Sequence, residues 1–87
     1  MTTIARIIRT MQRPQRVARA EYALWIAKRE AAHLLVAARR DVRAAERMPD
    51  CCEGLAAARY RSARFHIARA RDAIRDARAD FLRDIAP

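Results

Sequence analysis

An all-α fold is predicted by three observations. One Gly and three Pro stand among 87 residues dominated by Ala and Arg, a composition of strong helix formers with few breakers. Apolar residues recur at steps of three and four along most of the chain, the period of one helix face. Finally, Ala56, Ala63, Ala70 and Ala77 fall seven apart, and so do Tyr60, Ile67, Ile74 and Phe81. Small residues alternating with large ones at heptad spacing describe a seam on which another helix can lie closely.

The first element is a short amphipathic helix over 4–12, with Ile4, Ile7, Ile8 and Met11 on one face and Thr2 or Thr3 able to cap its first turn. Pro14 cannot donate its backbone hydrogen bond and disfavours helix at Arg13, so a break or kink is expected at residues 12–14. A long helix then spans 15–48. Its apolar series Val17, Ala20, Leu24, Ala27, Ala31, Leu34/Leu35, Ala38, Val42, Ala45 keeps one face greasy throughout.

The stretch "MPDCCEG" stops this helix and starts the next. Pro49 terminates, Asp50 can cap, and Glu53 three residues on completes a capping-box spacing. A second long helix spans 51–85, with Gly54 weakening its first turn. So short a connection makes the two long helices antiparallel neighbours. The whole of 1–87 is one helical domain, and a lone two-helix hairpin of this size is marginal. Self-association into a bundle is therefore expected, with the short helix, a second copy or a foreign partner covering what the hairpin leaves open.

Charge narrows the partners. Eighteen Arg and one Lys against ten acids give a net charge of +9, which favours an anionic partner, whether nucleic acid, an acidic protein face or a membrane surface. Residues 1–71 hold sixteen basic and six acidic side chains, and residues 72–87 hold three and four. Adjacent Cys51 and Cys52 do not form a secretory disulfide framework, because a bridge between neighbours is strained, so a reduced, cytoplasmic setting is expected. The longest apolar run, "AAHLLVAA", is far short of the roughly 20 residues of a membrane span. Arg within the first residues argues against an export signal.

Catalytic material is sparse. Ser62 is the one serine, and neither a glycine-rich phosphate loop nor a paired-carboxylate pocket is legible. Asp72, Asp76, Asp80 and Asp84, four apart, read as a solvated face paired with neighbouring Arg. A hairpin turning near residue 49 can bring His33 and His66 level, but two histidines without further ligands do not make a tight metal site. No enzyme, metal or cofactor is expected.

The remaining features describe binding. Tyr22, Trp25, Ile26 and Val36 lie off the Val17/Leu24/Ala31 stripe, and Phe65 lies off the heptad ruler; these are the expected partner-binding residues, since aromatics outside a core are favoured interface anchors. Arg39, Arg40, Arg43 and Arg47, with Arg59, Arg61 and Arg64, form a basic patch at the hairpin tip. The expected function is a non-enzymatic helical interaction protein that modulates or inhibits another macromolecule. In scale it suits a phage or mobile-element accessory protein acting on a host protein complex. The alternative is an Arg-rich nucleic-acid-binding protein gripping phosphates, and a weaker third reading is a basic amphipathic binder of membrane surfaces.

Overall fold

A computed structural model describes residues 2–87 of the chain. Helix α1 spans Thr2–Glu46 and helix α2 spans Glu53–Ile85, joined by a single 3-10 turn at Asp50–Cys52. The two pack antiparallel into a rod of 73 × 15 × 10 Å. The predicted all-α hairpin is therefore present.

The expected break at residues 12–14 is not. α1 continues through Pro14, so the short helix over 4–12 and the long helix over 15–48 are one element. Pro14 is exposed, and the carbonyl it leaves without a donor can be hydrated. Strong helix formers on both sides then carry the helix across the local cost of the ring. Thr2 and Thr3, expected as caps, are both inside the helix.

The connection also differs in detail. α1 closes with Arg47 N–H donating to the Arg43 carbonyl (3.2 Å) and Met48 N–H to the Ala45 carbonyl (3.2 Å). Cys52 N–H donates to the Pro49 carbonyl at 2.9 Å. This turn delays α2 to Glu53, two residues later than expected, and neither Asp50 nor any other side chain caps it. The capping-box spacing is present in the sequence but unused, because the 3-10 turn satisfies the local backbone first.

The seam is built from alanine. Ala20, Ala31, Ala38 and Ala45 on α1 and Ala63 and Ala70 on α2 are each at most 5% exposed. Val17, Leu24, Leu34 and Val42 flank them on α1, and Ile67, Ile74 and Phe81 on α2, all half-buried. The physical reason is geometric: methyl groups at the centre let the backbones approach, so larger side chains straddle the seam and keep one edge in solvent.

The helices are unequal, and this positions the candidate site. α1 is about 67 Å long and α2 about 50 Å at 1.5 Å per residue. The end of α2 reaches the level of Arg16, where Pro87 shares a groove with Arg9, Arg13 and Arg16. Every described side chain from Thr3 to Gln15 is exposed. The first three turns of α1 thus overhang the hairpin instead of folding back on it.

Candidate functional site

Starting from α1, one apolar line serves the seam and a second lies behind it. Tyr22 is two residues past buried Ala20, Trp25 one past Leu24, and Val36 two before buried Ala38. At about 100° per residue these offsets carry their side chains to the side away from α2. Exposure agrees, with Tyr22 at 63%, Trp25 at 53% and Val36 at 44%. Ile4, Ile7, Ile8 and Met11 of the overhang are also exposed and fall on the same side. The outer face of α1 therefore carries a largely apolar stripe from Ile4 to Val36, interrupted by Gln15 and Arg29, that no other element among the described residues covers.

The stripe has internal order. Tyr22 and Trp25 stack with ring centroids 6.0 Å apart and planes 22° from parallel, and the Arg29 guanidinium lies 5.4 Å from the Trp25 ring centre. Sandwiching of this kind holds an exposed indole in place without hiding it. Of the other expected partner-binding residues, Ile26 is half-buried at the edge of this face. Phe65 belongs elsewhere: it is two residues past buried Ala63, hence on the far side of α2, beneath the Arg69 guanidinium at 5.8 Å. Tyr22, Trp25 and Val36 thus share the outer side of α1, and Phe65 is exposed on α2.

The basic tip is where the sequence places it. Arg39, Arg40, Arg43 and Arg47 end α1, and Arg59, Arg61 and Arg64 lie in the first turns of α2, all exposed. Arg59 alone among them is committed, its Nη1 donating to Asp41 Oδ1 at 3.2 Å. Beside the tip, Arg39 and Arg43 border an apolar groove of about 370 Å³ floored by Leu35, Val42 and Ile67. Away from the tip, the Asp-rich end of α2 is ion-paired as expected, with Arg75 near Asp72 and Asp76 (both 3.4 Å) and Arg83 donating to Asp80 at 2.6 Å.

One polar cluster interrupts the seam. Asp41 is 8% exposed, and it takes the next heptad place after Ala20, Ala27 and Leu34. Facing it from α2 are Arg59, Ser62 and His66. Hydrogen bonding from the Ser62 hydroxyl holds the Asp41 carboxyl below its ordinary value of 3.8, against burial and with help from the Arg59 hydrogen bond and charge and the His66 charge. His66 Nε2 is 3.6 Å from Asp41 Oδ2 and 3.4 Å from Ser62 Oγ, while its Nδ1 is buried with no partner. A serine–histidine–carboxylate relay needs acid and hydroxyl on opposite ring nitrogens. Here both face one nitrogen, and the cluster reads as a polar layer within the seam in which Asp41 is satisfied and His66 Nδ1 is not.

Sequence reading missed this layer because Asp41 sits within an Arg-rich run and looks like surface. The available signal was its place, seven residues from Leu34, on a line otherwise apolar. His33 is exposed, so the structure does not bring the two histidines together. Cys51 and Cys52 are free, with sulfurs 3.6 Å apart. Among the described residues, no three His, Cys, Asp or Glu side chains converge as a metal site, and no helix is long and apolar enough to cross a membrane. No protein-family model matches the chain, and no curated protein or solved structure matches it.

Proposed function

We propose that this chain is a non-enzymatic helical interaction protein, a rod whose hairpin seam holds α1 straight while the outer face of α1 engages another macromolecule and modulates or inhibits it. The observation that supports this reading is the stripe of Ile4, Ile8, Met11, Tyr22, Trp25 and Val36, exposed along a single helix whose opposite face already serves the fold. An exposed apolar row of this length is uncommon on a chain that works alone. Its aromatic pair is of the residue types that anchor interfaces. A small accessory protein of a phage or other mobile element, acting on a host protein complex, fits this build. Self-association into a bundle is a second way to cover the same face.

The test is capture by the immobilised full chain with and without nuclease. Trp25→Ala or Tyr22→Ala abolishes capture of a nuclease-resistant partner while helicity is kept. A partner that survives both changes refutes the reading. The nucleic-acid alternative draws on Arg39, Arg40, Arg43, Arg47, Arg61 and Arg64, which make no ion pair among the described residues. It expects the reverse ranking: replacing the four α1 arginines with Gln abolishes binding, nuclease removes the ligand, and Trp25→Ala leaves binding intact.

A further inference from the structure

The outer stripe has a finer pattern than exposure alone. Positions 4, 8, 11, 15, 18, 22, 25, 29, 32 and 36 advance by alternating steps of four and three, the period of a coiled-coil seam. They carry Ile, Ile, Met, Gln, Ala, Tyr, Trp, Arg, Ala and Val. Ala18 and Ala32 stand fourteen apart among larger residues, a sparser use of alanine than the sevens of the seam toward α2. Extending the same steps gives Arg39 and Arg43, so the stripe runs without a turn into the basic tip.

We infer that the outer face of α1 is a second coiled-coil seam whose occupant is an acidic amphipathic helix of another protein, laid along the stripe from the overhang to Arg43. This rests on the reading of that face as a docking surface and names the chemistry of what docks.

Shape selects a helix. Small side chains at Ala18 and Ala32 make recesses that a knob from a facing helix fills, whereas a bilayer gains nothing from such corrugation and loses at Gln15 and Arg29. Charge selects an acidic one. On or beside the stripe stand Arg19, Lys28, Arg29, Arg39, Arg40, Arg43 and Arg47, against Glu21 and Glu46. Charges flanking a coiled-coil seam set partner choice, and unlike signs across it are favoured.

The same charges disfavour a second copy. Parallel pairing sets Arg29, Arg39 and Arg43 each against its own counterpart. Antiparallel pairing that covers Ile4 to Val36 sets Arg19 against Arg19 and Glu21 against Glu21, and pairing that covers Ile4 to Arg43 brings Glu21 to Lys28; neither supplies an acid to Arg29, Arg39 or Arg43. Like charges so placed act against the wrong partner.

Two synthetic amphipathic peptides of about 40 residues, the length that spans the roughly 60 Å from Ile4 to Arg43, provide the probe. Both carry Leu and Ala at the heptad positions, one with Glu and the other with Lys at the flanks. Trp25 is the single tryptophan of the chain, so its emission reports coverage directly. The Glu peptide should bind the full chain with a blue shift of Trp25, and at moderate salt roughly tenfold or more tightly than the Lys peptide. Lys28→Glu with Arg29→Glu, both at exposed positions, should remove most of that preference while circular dichroism stays helical.

Equal affinity for both peptides overturns the acidic partner. A chain that sediments as a dimer with Trp25 already shielded assigns the face to a second copy. A shift with phosphatidylglycerol vesicles or single-stranded DNA, and with neither peptide, assigns it to a membrane or a nucleic acid. If the Glu peptide fails yet Trp25→Ala still removes a nuclease-resistant partner, the interaction reading stands and the acidic helix falls.

Discussion

Asp41 shows how one side chain can change what a seam is for. A buried carboxylate contributes less to net stability than apolar packing would, but it ties α1 to α2 at one level, because Arg59, Ser62 and His66 can satisfy it in a single register. Since folding lowers its pKa, the stability it contributes is present above its ordinary value of 3.8 and is lost as pH falls through the lower folded value. Chemical denaturation of the parent chain and of Asp41→Asn should therefore differ more at neutral pH than well below the ordinary value of 3.8. A gap that is constant with pH would mean the carboxylate is not the group that matters. At the centre of the seam, Ala70→Leu should cost about 1–3 kcal/mol by overpacking, and exposed Ala79→Leu close to nothing; equal thermal shifts would refute the register. Gly54 is open, with nothing within 4 Å of an added Cβ, and its φ is not positive. Gly54→Ala should accordingly raise stability by about 0.5–1 kcal/mol in the same denaturation assay.

At the scale of the helices, the two proline positions were equally visible in the sequence and only one behaves as a terminator. Pro49 follows Met48 where α1 loses its partner and the chain must reverse, so the stop is reinforced by the turn. Pro14 lies in the overhang, where no reversal is required, and the helix passes through. Local rules state what a proline costs; whether the cost breaks a helix depends on what the surroundings ask of the chain. Pro14→Ala should increase amide protection from Thr3 to Arg13 in hydrogen exchange and leave the denaturation midpoint of the hairpin nearly unchanged, because the overhang touches α2 little. A large rise in that midpoint would show that the overhang is part of the cooperative unit. The heptad ruler of α2 was legible because alanine and large apolar residues each kept strict sevens. Its mate on α1 was legible too, apart from Asp41, whose chemistry hid its position. The outer stripe was half legible: Tyr22, Trp25 and Val36 read as misfits of the seam, but their continuity with Ile4, Ile8 and Met11 required α1 to be unbroken. Phe65 read as off the ruler and is exposed, but that it faces away from the α1 stripe was not legible, because sequence offsets within one helix cannot tell which way two helices face.

In the whole molecule α1 has two faces, one packed on α2 and the other exposed and proposed to meet a partner, with arginines toward one end and an overhang at the other. Charge at the tip should act mainly on encounter. Replacing Arg39, Arg40, Arg43 and Arg47 with Gln should slow association with a protein partner and flatten its salt dependence more than it speeds dissociation. The most direct test of the central claim is acrylamide quenching of Trp25 in the isolated full-length chain. The exposed Trp25 should show a red-shifted emission and near-complete accessibility to quencher, both reduced when a partner binds. A blue, shielded tryptophan in the isolated chain would contradict it, because the face assigned to a partner would already be covered.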